Sequence, residues 1–433
     1  MSALDPVFDS SPSDQPQLKN DVQLISLVGI AHLVSHFSQL VLPPLFPWIK
    51  EGLQVSYAQL GFLMSIFFVV SCAVQTISGF AVDRFGPRPL LYTGLTCLAL
   101  ANFGYALSDN YTQMVLCAFI AGLGNGVFHP ADYTLLNKRI APKRLGHAYS
   151  IHGLTGSLGW ALAPTLMVPI AIAYSWHTAL FVAGLIAFSV LLLVWFKRAQ
   201  LGLEGFSSLF EEIKVKPLAQ QELRLNGIDQ TPKNKPHESV FAFLKIPSVW
   251  MCFAFFLFYS MALSIVQAYA PQAVRHLQSV PMSVTASCLT LYMLCSATGM
   301  LLGGFLASNS KRAERVVGVA FLSAGCLSLS LVYLELAPWQ VLFLFGLMGL
   351  VSGSASPSRD LLVKQSTPAN STGRVYGVVY SGLDIGQAIS AFVFGVLMDH
   401  QNYSVVIIGL AFLQGILVLG AFNVRRVRKE AFG

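Results

Sequence analysis

The sequence has 433 residues, of which 55% are hydrophobic and only 11% carry a charge. Soluble domains carry about 25% charged residues, so this composition excludes an ordinary soluble globular protein. The formal net charge of +7 does not indicate a nucleic-acid partner, because the basic residues stand in short loops between apolar blocks.

Twelve apolar blocks follow one another along the chain. A helix of about 20 apolar residues crosses the ~30 Å hydrocarbon core of a bilayer. We therefore predict an all-α integral membrane protein whose twelve transmembrane helices form two pseudo-symmetric six-helix bundles. The predicted spans are residues 22–47, 57–81, 90–108, 112–135, 147–174, 177–197, 248–271, 283–308, 314–335, 338–362, 373–398 and 402–424. Breaks in these helices are predicted at Pro43, Pro44, Pro130, Pro164 and Pro357.

Polar segments divide the chain at its ends and in its middle. Residues 1–21 are rich in Ser, Pro and Asp and lack the regions of a signal peptide, so a disordered cytoplasmic tail is predicted. Residues 198–246 combine mixed charge with several prolines and are the predicted cytoplasmic linker between bundles 22–197 and 247–424. Residues 425–433 are predicted as a basic cytoplasmic tail.

Lys and Arg are distributed unevenly among the predicted loops. The loops after even-numbered spans are basic, whereas the opposite loops contain little beyond Lys50 and Arg275. By the positive-inside rule both termini lie in the cytoplasm, and we expect a lipid-embedded multi-pass monomer of the cell inner (plasma) membrane. The seven cysteines stand in apolar blocks without CxxC spacing, so packing roles are predicted rather than disulfides or metal ligands.

An internal repeat relates the two predicted bundles. A shift of 227 residues places Pro130 on Pro357 and Gly159 on Gly386, and residues 118–165 resemble 345–392 in pattern. Such a duplication is typical of transporters in which two six-helix repeats surround a substrate site near the middle of the membrane.

The loop after the second span contains Gly79, Asp83, Arg84, Gly86 and Arg88 in the pattern G-x-x-x-D-R-x-G-x-R. This pattern resembles the signature of the major facilitator superfamily. The resemblance implies a gating loop that holds the two halves together when the transporter faces outward. Its charged residues suit a helix end or anionic lipid headgroups. The alternative is an ordinary basic loop with a turn glycine.

Three further stretches resemble the fosmidomycin-resistance branch of this superfamily: residues 32–47 in span 1, 122–132 in span 4 and 380–399 in span 11. Members of this branch are often described as drug efflux pumps. Span 5 is rich in glycine but lacks the Gly-Pro pair of the superfamily's antiporters, and span 4 lacks the usual arginine. The sequence therefore leaves the direction of transport open.

Ionisable side chains inside a membrane span are costly unless they are paired or hydrated, and are therefore candidates for function. His32, His36 and Gln39 recur at helical spacing on one face of span 1. We predict that they line a substrate cavity. Hydrogen bonding to neighbouring helices is the alternative, and a metal site is a third interpretation for which no ligand set is predicted. The candidate substrate-binding residues are His32, His36, Gln39, His129, Arg359 and Gln387.

Four residues are candidates for proton coupling: Asp132, His152, Asp360 and Asp384. Asp132 and Arg359 occupy equivalent positions of the repeat, so a charge pair across the cavity is one prediction, and pairing of Asp132 with Lys138 or Arg144 is another. Arginine suits carboxylates and phosphates because its planar guanidinium binds two oxygens at once. A salt bridge that only fixes helix packing is the alternative for each buried charge.

These features predict a secondary active transporter that moves a small molecule by alternating access around a central cavity. No Gly-x-x-x-x-Gly-Lys-Ser/Thr loop is present, so proton coupling is predicted rather than ATP hydrolysis, and no cofactor is expected. The Arg and His content favours a small organic anion as substrate, with a drug/proton antiporter or a metal or metal-chelate transporter as alternatives. An enzyme is disfavoured because the sequence has neither a nucleophile elbow nor an HExxH motif.

Overall fold

The computed structural model describes residues 15–201, 247–307, 313–359 and 372–432, and within these ranges it contains helices and no strands. Residues 1–14 of the predicted tail, residues 202–246 of the predicted linker and Asp360 lie outside them. The helices are α1 (Gln15–Gln39), α2 (Phe46–Leu53), α3 (Tyr57–Phe85), α4 (Pro87–Ala106), α5 (Tyr111–Asn125), α6 (Phe128–Arg139), α7 (Pro142–Ala173), α8 (Trp176–Phe196), α9 (Pro247–Ala268), α10 (Ala270–Gln278), α11 (Met282–Ala307), α12 (Ala313–Tyr333), α13 (Pro338–Ser354), α14 (Thr372–Asp399) and α15 (Tyr403–Phe432).

The long helices have the length and composition of membrane spans. Eleven helical segments in the described part of the chain are long and apolar enough to cross a bilayer. Large apolar side chains such as Phe80 (78% exposed) and Phe412 (68% exposed) lie on the outside of the bundle. Such a surface suits lipid tails, and the backbone polar groups of each span are satisfied inside its own helix.

Prolines interrupt the helices differently from the prediction. A 3-10 turn at Pro43–Leu45 separates α1 from α2, as predicted. In span 4 the break lies between Asn125 and Phe128, ahead of Pro130, which stands in the first turn of α6. A proline is tolerated there because its missing N–H would have no partner within the helix. Pro164 lies inside the continuous helix α7, so the break predicted at this residue is wrong.

The second half repeats the break of span 4. Ala355 forms a turn after α13, and residues 356–359 are helical again, so Pro357 also follows the break that it was predicted to cause. Under the shift of 227 residues, Phe128 at the start of α6 falls on Ala355. The two halves therefore share an interrupted helix at equivalent positions.

Helix packing defines two halves and the contact between them. In the first half α1 packs on α7, α4 on α5 and α8, and α3 on α5. In the second half α9 packs on α14 and α15, α11 on α13, and α12 on α15. In the described part of the chain, the most extensive contacts between the halves are those of α3 with α14 and of α7 with α11.

The beginning of α3 is tightly attached to the end of α14. The backbone N–H groups of Tyr57 and Ala58 donate to the two carboxylate oxygens of Asp399, each at 2.8 Å. One turn later, any side chain at Gly61 would collide with the carbonyl oxygen of Ala391, so only glycine permits this approach. The two halves are therefore closed against each other at this end of the molecule.

The opposite end of α3 carries the predicted gating loop. Asp83 and Arg84 are exposed, and no described atom lies within 4 Å of the position that a Cβ of Gly79 would take. No described helix therefore approaches α3 closely at Gly79 in this conformation. Gly86 joins α3 to α4 with a φ of 81°, a backbone conformation that favours glycine.

Candidate translocation site

Five ionisable side chains from three helices meet inside the first half. α1 contributes His32 and His36, α6 contributes His129 and Asp132, and α7 contributes His152. Asp132 is fully buried, and its Oδ2 lies 3.0 Å from His32 Nδ1 and 3.1 Å from His152 Nε2. The carboxylate therefore links α1, α6 and α7 at a single point.

The four imidazole rings pack against one another. His32 and His152 stack with their centroids 3.6 Å apart, and the rings of His36 and His129 lie 4.4 and 5.1 Å from that of His32. A Cβ on Gly156 would lie 3.1 Å from His32 Nε2 and from His36 Cε1. The glycine thus allows α7 to approach the histidine face of α1.

Trp160 joins this cluster to the remaining polar residue of α1. Its Nε1 donates to Gln39 Oε1 at 2.7 Å, and its ring lies 4.6 Å from that of His36. His36, Gln39, His129 and Trp160 are all partly exposed. They form the open side of the cluster. His36 and Gln39, which were predicted to share one face of span 1, are connected here through Trp160.

A second buried network lies beside the cluster, at the break in span 4. Ser35 donates to the side-chain oxygen of Asn125 at 2.9 Å, and the Asn125 amide donates to Ser71 at 2.8 Å. These bonds tie α1 to α5 and α3. The helix break is therefore held by neutral hydrogen bonds rather than by the arginine that is usual in this span.

The partners predicted for Asp132 were wrong. Its two ion pairs are with histidines, and none is formed with Arg359, Lys138 or Arg144. Arg144 instead binds Asp21, with Nη2 2.7 Å and Nε 2.8 Å from the same carboxylate oxygen. Among the described residues, no permanent cation pairs with Asp132.

The predicted substrate-binding residues of the second half, Arg359 and Gln387, lie on the helical segment 356–359 and on α14, and both contact α9. The guanidinium of Arg359 lies over the rings of Tyr259 and Phe256, 4.4 and 5.1 Å from their centroids, in cation–π geometry. Gln387 donates to the side-chain oxygen of Gln267 at 3.3 Å. Of the predicted substrate-binding residues in the second half, Arg359 therefore lies against aromatic rings and Gln387 against the amide of Gln267.

Asp384 is a buried carboxylate of a different kind. It is 9% exposed in α14, and no hydrogen bond or ion pair to it is formed by the described residues. α14 packs on α3, the helix of the other half, and one turn after Asp384 the hydroxyl of Ser65 donates to the carbonyl oxygen of Ala388 at 2.6 Å. An isolated carboxylate therefore lies at a contact between the halves.

Two further residues were not predicted as functional. Asp399 holds the start of α3, and Trp160 covers the histidines. Asp399 could have been found because it ends a helix, where the helix dipole disfavours negative charge. Such a residue needs a partner from another element. Trp160 had no comparable signal, since most aromatic residues of membrane helices only pack.

Comparison with protein families identifies the class of this chain. The model of the Major Facilitator Superfamily matches residues 28–337 and 278–432. The chain belongs to the major facilitator superfamily. It is a multi-pass membrane transporter and not an enzyme, and transporters of this superfamily bind small-molecule substrates. The resemblance predicted from residues 79–88 is confirmed.

Curated relatives and a solved structure agree with this assignment. The fosmidomycin resistance protein of Escherichia coli (strain K12) is 26% identical over 396 residues, which cover 90% of both chains. The hexuronate transporter of Bacillus subtilis (strain 168) is 24% identical over 41% of this chain and 42% of its own length. A crystal structure of the peptide transporter POT in complex with sulfate has the same fold, with a TM-score of 0.70 and 15% identity over 94% of this chain and 95% of that one.

Proposed function

We propose that this superfamily member is a proton-coupled secondary transporter of a small organic anion. The observation that carries the proposal is Asp384, a buried carboxylate in a membrane span that has no cationic partner among the described residues. A buried charge without a partner is costly, so the side chain gains by binding a proton. Because α14 packs on α3 of the other half, the protonation state of Asp384 would bear on how the halves move. Asp132 and His152 are further candidates for this role.

The anion preference rests on Arg359 and its surroundings. The guanidinium is held over Tyr259 and Phe256, and arginine is well suited to carboxylates because its planar fork donates two hydrogen bonds. A relative named for an organic anion, the hexuronate transporter, supports the same class. We assign the remaining substrate contacts to His32, His36, Gln39 and His129 of the first half and to Gln387 of the second half.

Alternating access gives the two ends of α3 opposite roles. With α4, which has 20 residues, as the twelfth span, both termini lie in the cytoplasm of a monomer embedded in the inner membrane. The contact of Asp399 with α3 then closes the outside, and the conformation faces the cytoplasm. The gating loop of Gly79, Asp83, Arg84, Gly86 and Arg88 closes the inside when the transporter faces outward.

Drug/proton antiport is a second candidate function, and one specific observation favours it. The fosmidomycin resistance protein matches over 90% of both chains, whereas the hexuronate transporter matches less than half. A drug/proton antiporter would use the same fold and the same protonatable residues. The two functions differ in substrate and in the direction of flux relative to the proton gradient.

Flux through purified protein in liposomes tests the proposal. Radiolabelled hexuronate and fosmidomycin are offered separately with an imposed proton gradient of either sign, and a protonophore provides the control. Accumulation of the organic anion that disappears with the protonophore is the expected result. Proton-driven movement of fosmidomycin alone would favour the antiporter, and flux that ignores the gradient would exclude proton coupling.

A further inference from the structure

The cluster of His32, His129, His152 and Asp132 has the composition of a transition-metal site. The donor nitrogens of the three histidines all lie within 4.8 Å of one another. Asp132 adds a carboxylate oxygen 3.0 and 3.1 Å from two of them. We propose that this cluster binds one divalent transition-metal ion through three imidazole nitrogens and the Asp132 carboxylate.

Polar atoms of the cluster are left without hydrogen-bond partners. Nδ1 of His129 and Oδ1 of Asp132 are buried and lack such a bond among the described residues. A buried polar atom without a partner costs about 1–3 kcal/mol, and such atoms are rare in proteins. Each of these atoms is of a type that ligates metals, so an ion at the centre of the cluster would satisfy them together.

The charge of the cluster also favours a cation. Both ion pairs of Asp132 are with histidines, which are neutral when they ligate a metal, and Arg144 is engaged by Asp21. No described lysine or arginine pairs with Asp132. The Asp132 carboxylate therefore has no permanent positive charge beside it. It would attract a divalent ion strongly, because Coulomb interactions are stronger in the buried interior than in water.

The ligand types select among metals. Imidazole nitrogens suit Zn²⁺, Co²⁺, Ni²⁺ and Cu²⁺, whereas Ca²⁺ and Mg²⁺ prefer oxygen ligands. Zinc lies about 2.0–2.1 Å from a histidine nitrogen, which places the nitrogens of a tetrahedral site about 3.4 Å apart. The nitrogens lie up to 4.8 Å apart, about 1.4 Å more than this, so the imidazoles must move closer together when the ion binds.

The proposed metal ligands overlap with the proposed transport site, because His32 and His129 are also assigned to the substrate and Asp132 and His152 are candidates for proton coupling. All four ligands lie on α1, α6 and α7 of one half, so metal binding does not require the two halves to close. It can be measured in detergent without the organic anion and without a proton gradient, so a failure of metal binding is distinguishable from a failure of anion transport.

Titration calorimetry on the full-length protein tests the inference. The protein is purified in detergent with a tag that contains no histidine, stripped with a chelator and titrated with ZnCl₂. We expect one ion per chain. We also expect His129→Ala to weaken binding at least about tenfold, because even groups that only orient a ligand contribute about 10–100-fold to metal affinity. The double variant His276→Ala, His400→Ala is the matched control, since both residues are exposed and outside the cluster, and it should bind as the wild type does.

A second variant guards against loss of folding. Asp132→Asn keeps the size of the side chain and should also weaken Zn²⁺ binding, with thermal unfolding used to verify that each variant is folded. Co²⁺ is a second probe, because four-coordinate Co²⁺ absorbs visible light and the absorption should be lost in His129→Ala. Stoichiometric binding that persists in folded His129→Ala and Asp132→Asn, or that is lost in the control, would overturn the inference, as would no binding by the wild type.

Discussion

Asp384 and Asp132 are both buried carboxylates in membrane spans, but their surroundings differ. Asp132 lies against His32 and His152, whereas Asp384 has no described partner. We expect Asp384→Asn to fold and to bind substrate, because the amide has the same size and no charge to bury. Proton-driven accumulation should fall at least tenfold, while exchange of substrate across the membrane without a gradient should persist. The measurement is uptake into liposomes with and without a pH gradient, and unchanged gradient dependence would remove Asp384 as the proton carrier.

Asp132 has a structural contribution that can be measured separately. In Asp132→Ala, His32 and His152 lose their shared partner, and a buried polar group left unpaired costs about 1–3 kcal/mol. We therefore expect a lower temperature of thermal unfolding in detergent. Asp109→Ala, in an exposed loop, is the matched control and should unfold like the wild type. Equal unfolding of both variants would show that the cluster does not hold α1, α6 and α7 together.

The sequence predicts which side chains lie next to each other only where they belong to the same helix. His32, His36 and Gln39 share a face because helical spacing places them there, and the structure brings them together through Trp160. The partners of Asp132 depend on how three helices cross, which no spacing records. The predicted pair with Arg359 failed because equivalent positions of a repeat need not face each other.

α3 and α14 form an antiparallel pair that joins the two halves. Asp399 at the carboxyl end of α14 accepts hydrogen bonds from the amino end of α3. A carboxylate at an exposed helix amino terminus contributes about 0.3–1 kcal/mol through the helix dipole, in addition to the hydrogen bonds that it accepts. Because the pair is antiparallel, Asp83 near the carboxyl end of α3 lies toward the amino end of α14. Each helix therefore carries an acidic residue at the end where its partner begins.

Loss of the Asp399 contact should favour the outward-facing state. We expect Asp399→Asn to change the ratio of the two states about 5- to 30-fold, which corresponds to about 1–2 kcal/mol. Spin labels at Gln59 and Gln401, both exposed at the ends of α3 and α14, report the separation in a variant without native cysteines. The distance distribution should shift to longer values, and Asp109→Asn is the control. An unchanged distribution would show that the contact does not hold the outside closed.

The gating loop gives the complementary prediction at the other end of α3. Asp83→Ala should slow transport while leaving substrate affinity largely intact, because Asp83 is exposed here and lies at the end of α3 opposite the contact with Asp399. Initial uptake rates in liposomes and equilibrium binding in detergent measure the two quantities. Equal loss of rate and affinity would contradict a role restricted to gating.

At the scale of the molecule, eleven of the twelve predicted spans correspond to described helices that are long and apolar enough to cross a bilayer, because each membrane helix needs a long apolar segment. The ends of the helices were less predictable. α1 begins at Gln15 rather than at residue 22, and α15 continues to Phe432 beyond the predicted end at 424. The apolar pattern indicates where a helix leaves the hydrocarbon core. The backbone hydrogen bonds of the helix continue beyond that point into polar residues. The place of Asp399 at a helix end indicates that it needs a partner, but the identity of that partner was not predictable, since it depends on how the two halves meet.

The most direct test of the account is ligand-dependent thermal stability of the detergent-purified protein. Organic carboxylates, phosphates and lipophilic drugs are compared for the wild type, Arg359→Ala and the control Arg315→Ala, whose residue is exposed on α12. A ligand at 100 times its dissociation constant stabilises the folded state by ~2.7 kcal/mol. If Arg359 binds the organic anion, a carboxylate or phosphate should stabilise the wild type and the control but not Arg359→Ala. Stabilisation of all three proteins by lipophilic drugs alone would contradict it.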